Sequence, residues 1–139
     1  MYKKYIVASL VSVWLVMLGI GFIRQPSSGE SGKSYAIMKS DITYVLANGG
    51  NVVDAVDVVK PGRAHVARTI DVEGWSDALL RKYQISLSEK GWRQISVTDF
   101  CKQGIYAKVI PNAGMRSGRE TNLISMEFGT FSMDKCAVR

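Results

Sequence analysis

The residues 26–34, PSSGESGKS, end in the Gly32-Lys33-Ser34 triplet that closes a phosphate-cradling loop. In such a loop successive backbone N–H groups and a lysine meet the phosphates, between a buried strand and a helix N-terminus. The pattern also needs a glycine at position 27, where this chain has Ser27. Upstream lies a long apolar run rather than a short strand, followed by Pro26 and a Ser/Gly cluster. Residues 25–34 therefore read as a flexible juxtamembrane linker, and no nucleotide is expected to bind there.

Thiol chemistry is limited to Cys101 and Cys136, the only two cysteines. Their separation of 35 positions rules out C-x-x-C redox and zinc-knuckle spacing. An even count in a segment outside the cytoplasm predicts a disulfide joining the first C-terminal strand to the tail. The alternative is two separate buried thiols. A nucleophilic cysteine would need a base, and the single histidine, His65, falls on a strand face beside a turn. The acids Asp54, Asp57, Asp71, Glu73, Asp77 and Asp99 are scattered. Asp54 and Asp57 would share a face only if 51–59 were helical. No G-x-S-x-G occurs. No catalytic residue, metal or cofactor is expected, and the chain is read as a non-enzyme.

One loop stands apart. PNAGMRSGRE, residues 111–120, carries Met115 between the apolar strand ends and the cations Arg116 and Arg119. That mixture suits an acidic protein partner or anionic lipid headgroups, against the plainer reading of a solvated hairpin tip.

The elements that must position these groups begin with a membrane segment. Tyr5–Ile23 is 19 residues without a charge, about 28 Å as a helix and close to a bilayer's hydrocarbon thickness. Lys3 and Lys4 precede it and Arg24 follows, which puts the N-terminus in the cytoplasm and the rest outside. The competing readings are a cleaved signal peptide, with its apolar run overlong and no Ala-x-Ala site, and a buried core helix. The chain carries 18 basic against 12 acidic residues; Lys3, Lys4 and Arg24 account for three of the cations, leaving 15 basic beyond them. With no basic helix or Arg/Lys run, nucleic-acid binding is not expected. The absence of an N-x-[ST] sequon favours a bacterial envelope over a eukaryotic secretory route.

Beyond the linker, Met38, Ile42, Val45 and Leu46 mark one helical face, with Ser40 or Asp41 as cap and Asn48-Gly49-Gly50 as stop. Two Val-rich strands, 51–59 and 64–72, flank Pro61-Gly62, which suits a type II turn. Val66, Ile70 and Val72 would share a strand face, Arg68 being an exception on it. Trp75, Leu79, Tyr83 and Leu87 recur every fourth residue in the clearest helix, which Gly91 ends. Residues 92–100, 104–111 and 121–131 alternate as strands.

The expected architecture is α+β: an N-terminal transmembrane helix, then a two-layer sandwich of helices on an antiparallel sheet in the order α-ββ-α-βββ. Its divisions are residues 1–24 as cytoplasmic tip and signal-anchor, 25–34 as linker, and 35–139 as the extracytoplasmic domain. The role this implies is a single-pass protein of the bacterial inner membrane, held in the bilayer by residues 5–23. Its periplasmic domain would bind another envelope protein as accessory subunit or inhibitor. The alternatives are a small envelope enzyme using His65 with Cys, Asp or Ser residues, and a soluble factor released after leader cleavage.

Overall fold

A computed structural model of the chain describes residues 27–116 and 118–137. The expected transmembrane segment and cytoplasmic tip, residues 1–24, lie outside the described residues. Among the described residues no helix is long and apolar enough to cross a membrane.

The first described element, α1 (Ser28–Leu46), corrects the reading of 25–34 as a linker over residues 28–34. Ser27 caps it: its Oγ accepts from Glu30 N–H at 3.3 Å, while Glu30 Oε2 accepts from Ser27 N–H at 2.7 Å. This reciprocal box satisfies two donors that a helix start otherwise leaves free. It offsets the cost of Gly29 and Gly32 within the helix, about 1 kcal/mol each relative to alanine. The Gly32-Lys33-Ser34 triplet is thus helical, with Ser34 buried. Ser31, Ser34, Met38, Asp41, Ile42 and Val45 form the buried stripe. Ser40 and Asp41 are interior positions, not caps. The helix stops where expected, before Gly49 and Gly50, both at positive φ.

Strands β1 (Val52–Lys60) and β2 (Arg63–Asp71) form the anticipated hairpin. Gly62 has φ +73°, the left-handed value that a type II turn demands at its third position. Val72 leaves the strand for a short 3₁₀ turn, Val72–Gly74. Helix α2 (Asp77–Glu89) follows, capped by Ser76 Oγ on Leu79 N–H at 3.1 Å. Leu79, Tyr83 and Leu87 are buried along it, and Trp75 meets the Tyr83 ring edge-on at 5.7 Å.

The strand expected over 92–100 is broken in two: β3 (Arg93–Gln94) and β4 (Asp99–Lys102). Ser96 explains the break, since its Oγ accepts from Thr98 N–H and Asp99 N–H and closes a local turn. The segment 111–120 is not a loop. β5 (Ile105–Arg116) and β6 (Arg119–Phe128) run through it, with Arg116 paired to Arg119 and a register shift between Ile110 and Gly114. A last helix, α3 (Thr130–Ala137), was not anticipated.

The sheet is antiparallel, six-stranded, ordered β1-β2-β6-β5-β4-β3. Alternation sends Ala64, Val66, Ile70, Phe100, Ile105, Ala107, Val109, Ile124, Met126 and Phe128 to one face, where they form the core with Met38, Ile42, Val45, Tyr83 and Leu87. Helices α1 and α2 cover that face. The opposite face carries Cys101 and Tyr106, and α3 meets it there, through the Cys101–Cys136 disulfide and an edge-on contact of Phe131 with Tyr106. The predicted bridge is present, with Cα atoms 5.6 Å apart.

Candidate functional site

The helix-free face of the sheet, beyond α3, holds Arg116 and Arg119 of the β5–β6 hairpin. Arg116 lies opposite Arg119 at the tip. The tip reaches over to β1, where Arg116 donates to Asp54 Oδ2. Arg119 meets Asp71 at 3.3 Å and Glu73 at 3.8 Å. Beneath these pairs is a cleft of about 400 Å³ lined by Val53, Asp71, Arg116, Arg119 and Thr121. The two arginines expected to greet an acidic partner therefore already face carboxylates of their own chain. Met115 does not share this fate, being 68% exposed. Asp54, Asp71 and Glu73 were not foreseen as partners, because Asp54 lies 62 positions from Arg116 and Asp71 lies 48 from Arg119. No local pattern announces pairs so distant.

The tip is aimed by the shift in β5. Asn112 adopts φ +53° there and donates its N–H to Asn122 Oδ1 at 3.0 Å. Asn122 is fully buried, and its Nδ2 has no partner among the described residues. Thr121 Oγ1 donates to the Gly114 carbonyl at 3.1 Å, fastening the strand beyond the shift. At the cleft's edge the Arg116 guanidinium holds the Asp54 carboxyl below the usual carboxylate range. Partial burial opposes this, and the Ala55 amide assists.

Asp57, on the same strand, points to the helix-covered face instead. Arg68 Nη1 donates to its Oδ1 at 2.7 Å and Lys39 Nζ to its Oδ2 at 2.6 Å. Arg68, chiefly, lowers the Asp57 carboxyl below its ordinary range; burial works against it and Lys39 with it. This explains the arginine on an otherwise apolar strand face. Asp54 and Asp57 thus diverge, as a strand requires.

His65 sits on the helix-free face with Nε2 3.2 Å from Ser125 Oγ. It pairs across the ladder with Glu127, whose carboxylate lies 3.6 Å from Arg63. A shallow cleft of about 210 Å³ runs beside it, lined by Val58, Lys60, Arg63, His65 and Glu127. Cys101 is committed to the disulfide, so the imagined Cys–His pair is not assembled.

The third feature is the edge of the sheet. β1 heads the strand order, and Val53, Val56, Val58 and Val59 on it are 36–46% exposed. With the Arg116–Asp54 contact joining it to the tip, the edge borders the charged cleft through Val53. It offers backbone donors and acceptors, valine side chains and paired charges.

Comparison with known protein families, characterised proteins and solved structures finds no match to this chain.

Proposed function

We propose that the chain is a single-pass protein of the bacterial inner membrane, anchored through Tyr5–Ile23, whose α+β domain stands in the periplasm and binds another envelope protein. The observation that carries this reading is the Cys101–Cys136 bridge, because structural disulfides persist in oxidising compartments and are rare in the cytosol. It agrees with the orientation argued from Lys3 and Lys4. The binding role rests on the charged cleft at the hairpin tip and on Met115, exposed next to Arg116. The domain acts as an accessory subunit or an inhibitor, presenting this face to its partner.

A reporter fused after Arg139 that works only in an oxidising exterior is the expected result. Activity of a reporter suited to the reducing interior defeats the topology. Crosslinking in intact membranes, followed by purification, should recover an envelope protein bound through the cleft side. Intact mass of the purified chain should include residues 1–24; a mass lacking them establishes leader cleavage.

A second reading, a small envelope hydrolase, is favoured by the His65–Ser125 contact alone. A serine nucleophile needs a neighbouring base that is itself oriented by a third group. Only the Ser125 contact of the His65 ring appears among the hydrogen bonds of the described residues. His65→Ala should leave partner binding and biological activity intact; complete loss of activity with the fold preserved would favour the enzyme.

A further inference from the structure

β1 has no neighbour on its outer side among the described residues. Which of its backbone groups face outward follows from both ends of the β1–β2 ladder. Lys60 and Arg63 pair directly across the two-residue turn, and Asp71 N–H donates to the Asn51 carbonyl at 2.9 Å at the far end. Hydrogen-bonded and non-bonded pairs alternate along an antiparallel ladder. Counting from the turn, Lys60, Val58, Val56 and Asp54 direct their amides and carbonyls to β2. Counting from Asn51 across the bulge gives the same answer. Ala55, Asp57 and Val59 therefore turn theirs to solvent.

Edges that stay unpaired are kept short, covered, or guarded by lysine, proline or projecting charge. β1 is nine residues long. Both of its carboxylates are drawn onto the faces, Asp54 by Arg116 and Asp57 by Lys39 and Arg68. Lys60, at the turn, is the only lysine on the strand.

We infer that β1 is a strand-addition edge, and that its occupant is β1 of a second copy of this chain, antiparallel, joining two sheets into one about a two-fold axis. This deepens the reading of the domain as an interaction module and rests on it. Self-complementarity selects the second copy. With Asp57 on the axis, Ala55 faces Val59 of the second copy, so outward-turned amides and carbonyls meet their like. On the helix-free face Val56 then lies opposite Val58 of the second copy, and Asp54 opposite its Lys60. Opposite charges so placed attract, whereas a parallel arrangement would set Asp54 beside Asp54 and Lys60 beside Lys60. Slipping the register by one residue opposes bonding groups to non-bonding ones. The two Asp57 carboxylates meet at the axis already bracketed by Lys39 and Arg68 of their own chains. The result is an isologous, closed contact rather than an open fibre.

The test is the mass of the 139-residue chain in detergent micelles, by sedimentation. Two variants accompany it. Val59→Pro removes an outward N–H and leaves the β1–β2 ladder whole; Val56→Lys puts a charge at the packed centre of the join. The native chain should be a dimer, and each variant should raise its dissociation constant by roughly tenfold or more. Circular dichroism and the Cys101–Cys136 bridge should be unchanged. Should the proline variant fail to fold, the lysine variant decides. Mixed Val56→Cys and Val58→Cys chains should crosslink faster than either alone. A native monomer at micromolar concentration overturns the inference, as does a dimer that survives Val56→Lys. A photocrosslink from position 59 to a different polypeptide assigns the edge to that partner and overturns self-pairing. The reporter after Arg139 is read independently of mass, so failure of the compartment reading and failure of the dimer are distinguishable.

Discussion

The two edges of the sheet are built in opposite ways. At the far edge β3 is two residues long. The turn after it uses its own backbone groups: Ile95 N–H and Ser96 N–H both donate to the Asp99 carbonyl, and Gln84 Nε2 on α2 donates to Val97 O. Behind it the buried carboxylate of Asp41 accepts from Trp92 Nε1 at 2.9 Å and from Lys102 Nζ at 2.7 Å, tying α1 to β4. The disulfide ties β4 to α3. At the near edge nine residues of β1 stand largely exposed, held to the rest by the β2 ladder and by surface ion pairs. Stability is thus concentrated on one side and availability on the other. A protein that offers a strand for pairing must fasten its core elsewhere, because the offered strand contributes little buried area.

That contrast predicts that the largest losses of stability come from the fastened side. Replacing Cys101 and Cys136 by serine should cost about 4 kcal/mol, from the conformational freedom regained by the unfolded chain. Asp41→Ala should cost about 3 kcal/mol, since it leaves the half-buried Lys102 ammonium and the buried Trp92 N–H without their acceptor. Urea unfolding of the full chain in micelles measures both. A cost under about 1 kcal/mol in both variants would show that the β3–β4 side is not the anchor.

Sequence patterns revealed the apolar skeleton but not the polar fastenings, and the reason is range. The buried stripe of α2 and the Pro61-Gly62 turn are local, so spacing alone exposes them. Asp41 is indistinguishable in sequence from a cap, and only Trp92 and Lys102, 51 and 61 positions away, reveal its role. Composition hides the start of α1: glycine and serine signal a linker, while the Ser27–Glu30 box overrides them. Residues 92–100 alternate as a strand should, yet Ser96 bonds the backbone locally and breaks the run. The 111–120 stretch looked like a loop because its glycines mask a pairing that Thr121 and Asn122 enforce from the opposite strand. Met115, Arg116 and Arg119 are all exposed, but the two arginines also meet carboxylates of their own chain.

The tyrosines sharpen the comparison from the alkaline side. Burial pushes the Tyr83 hydroxyl up to about 12, and it does the same for Tyr106, with the hydrogen bond to Asp99 and that carboxylate's charge adding to it. A folded pKa above the unfolded value near 10 means that the neutral form is favoured by folding. The stabilisation is complete below about pH 10 and is lost as pH rises through about 12. In tyrosinate absorbance, Tyr83→Phe and Tyr106→Phe should each remove one group titrating near 12. Tyr83 donates to the Gly49 carbonyl at 2.5 Å, so its ionisation also strips a bond from the α1–β1 connection.

The acid limb touches both edges. Asp54 and Asp57 on β1 have lowered carboxyl pKa values for the reasons given above. Burial resists ionisation of Asp99 on β4, but hydrogen bonds from Ser96 and Tyr106, with Lys108 nearby, hold it low as well. Folded values below the unfolded one give stability that is present above about pH 4 and lost as pH falls through the folded values. Melting temperature should therefore be flat down to about pH 5 and decline below about pH 4. Asp57→Asn should flatten part of that decline, and an unchanged profile would show that the Lys39–Asp57–Arg68 cluster contributes nothing to it.

The smallest effect on folding is expected at the open edge itself, and its smallness is the informative part. Val56 and Val59 are 41% and 46% exposed, so Val56→Lys removes little buried area and should change folding stability by no more than about 0.5 kcal/mol. Val59→Pro should do as little, because its N–H faces away from β2 and its strand conformation is compatible with proline. Unfolding must be measured at concentrations low enough that association does not contribute, since a dimer adds stability that rises with protein concentration. Under those conditions the variants and the native chain should unfold together, while at high concentration the native chain alone gains. A loss of about 2 kcal/mol or more in the dilute regime would mean that β1 supports the monomer's own core, and that the asymmetry between the two edges is one of shape rather than of energy.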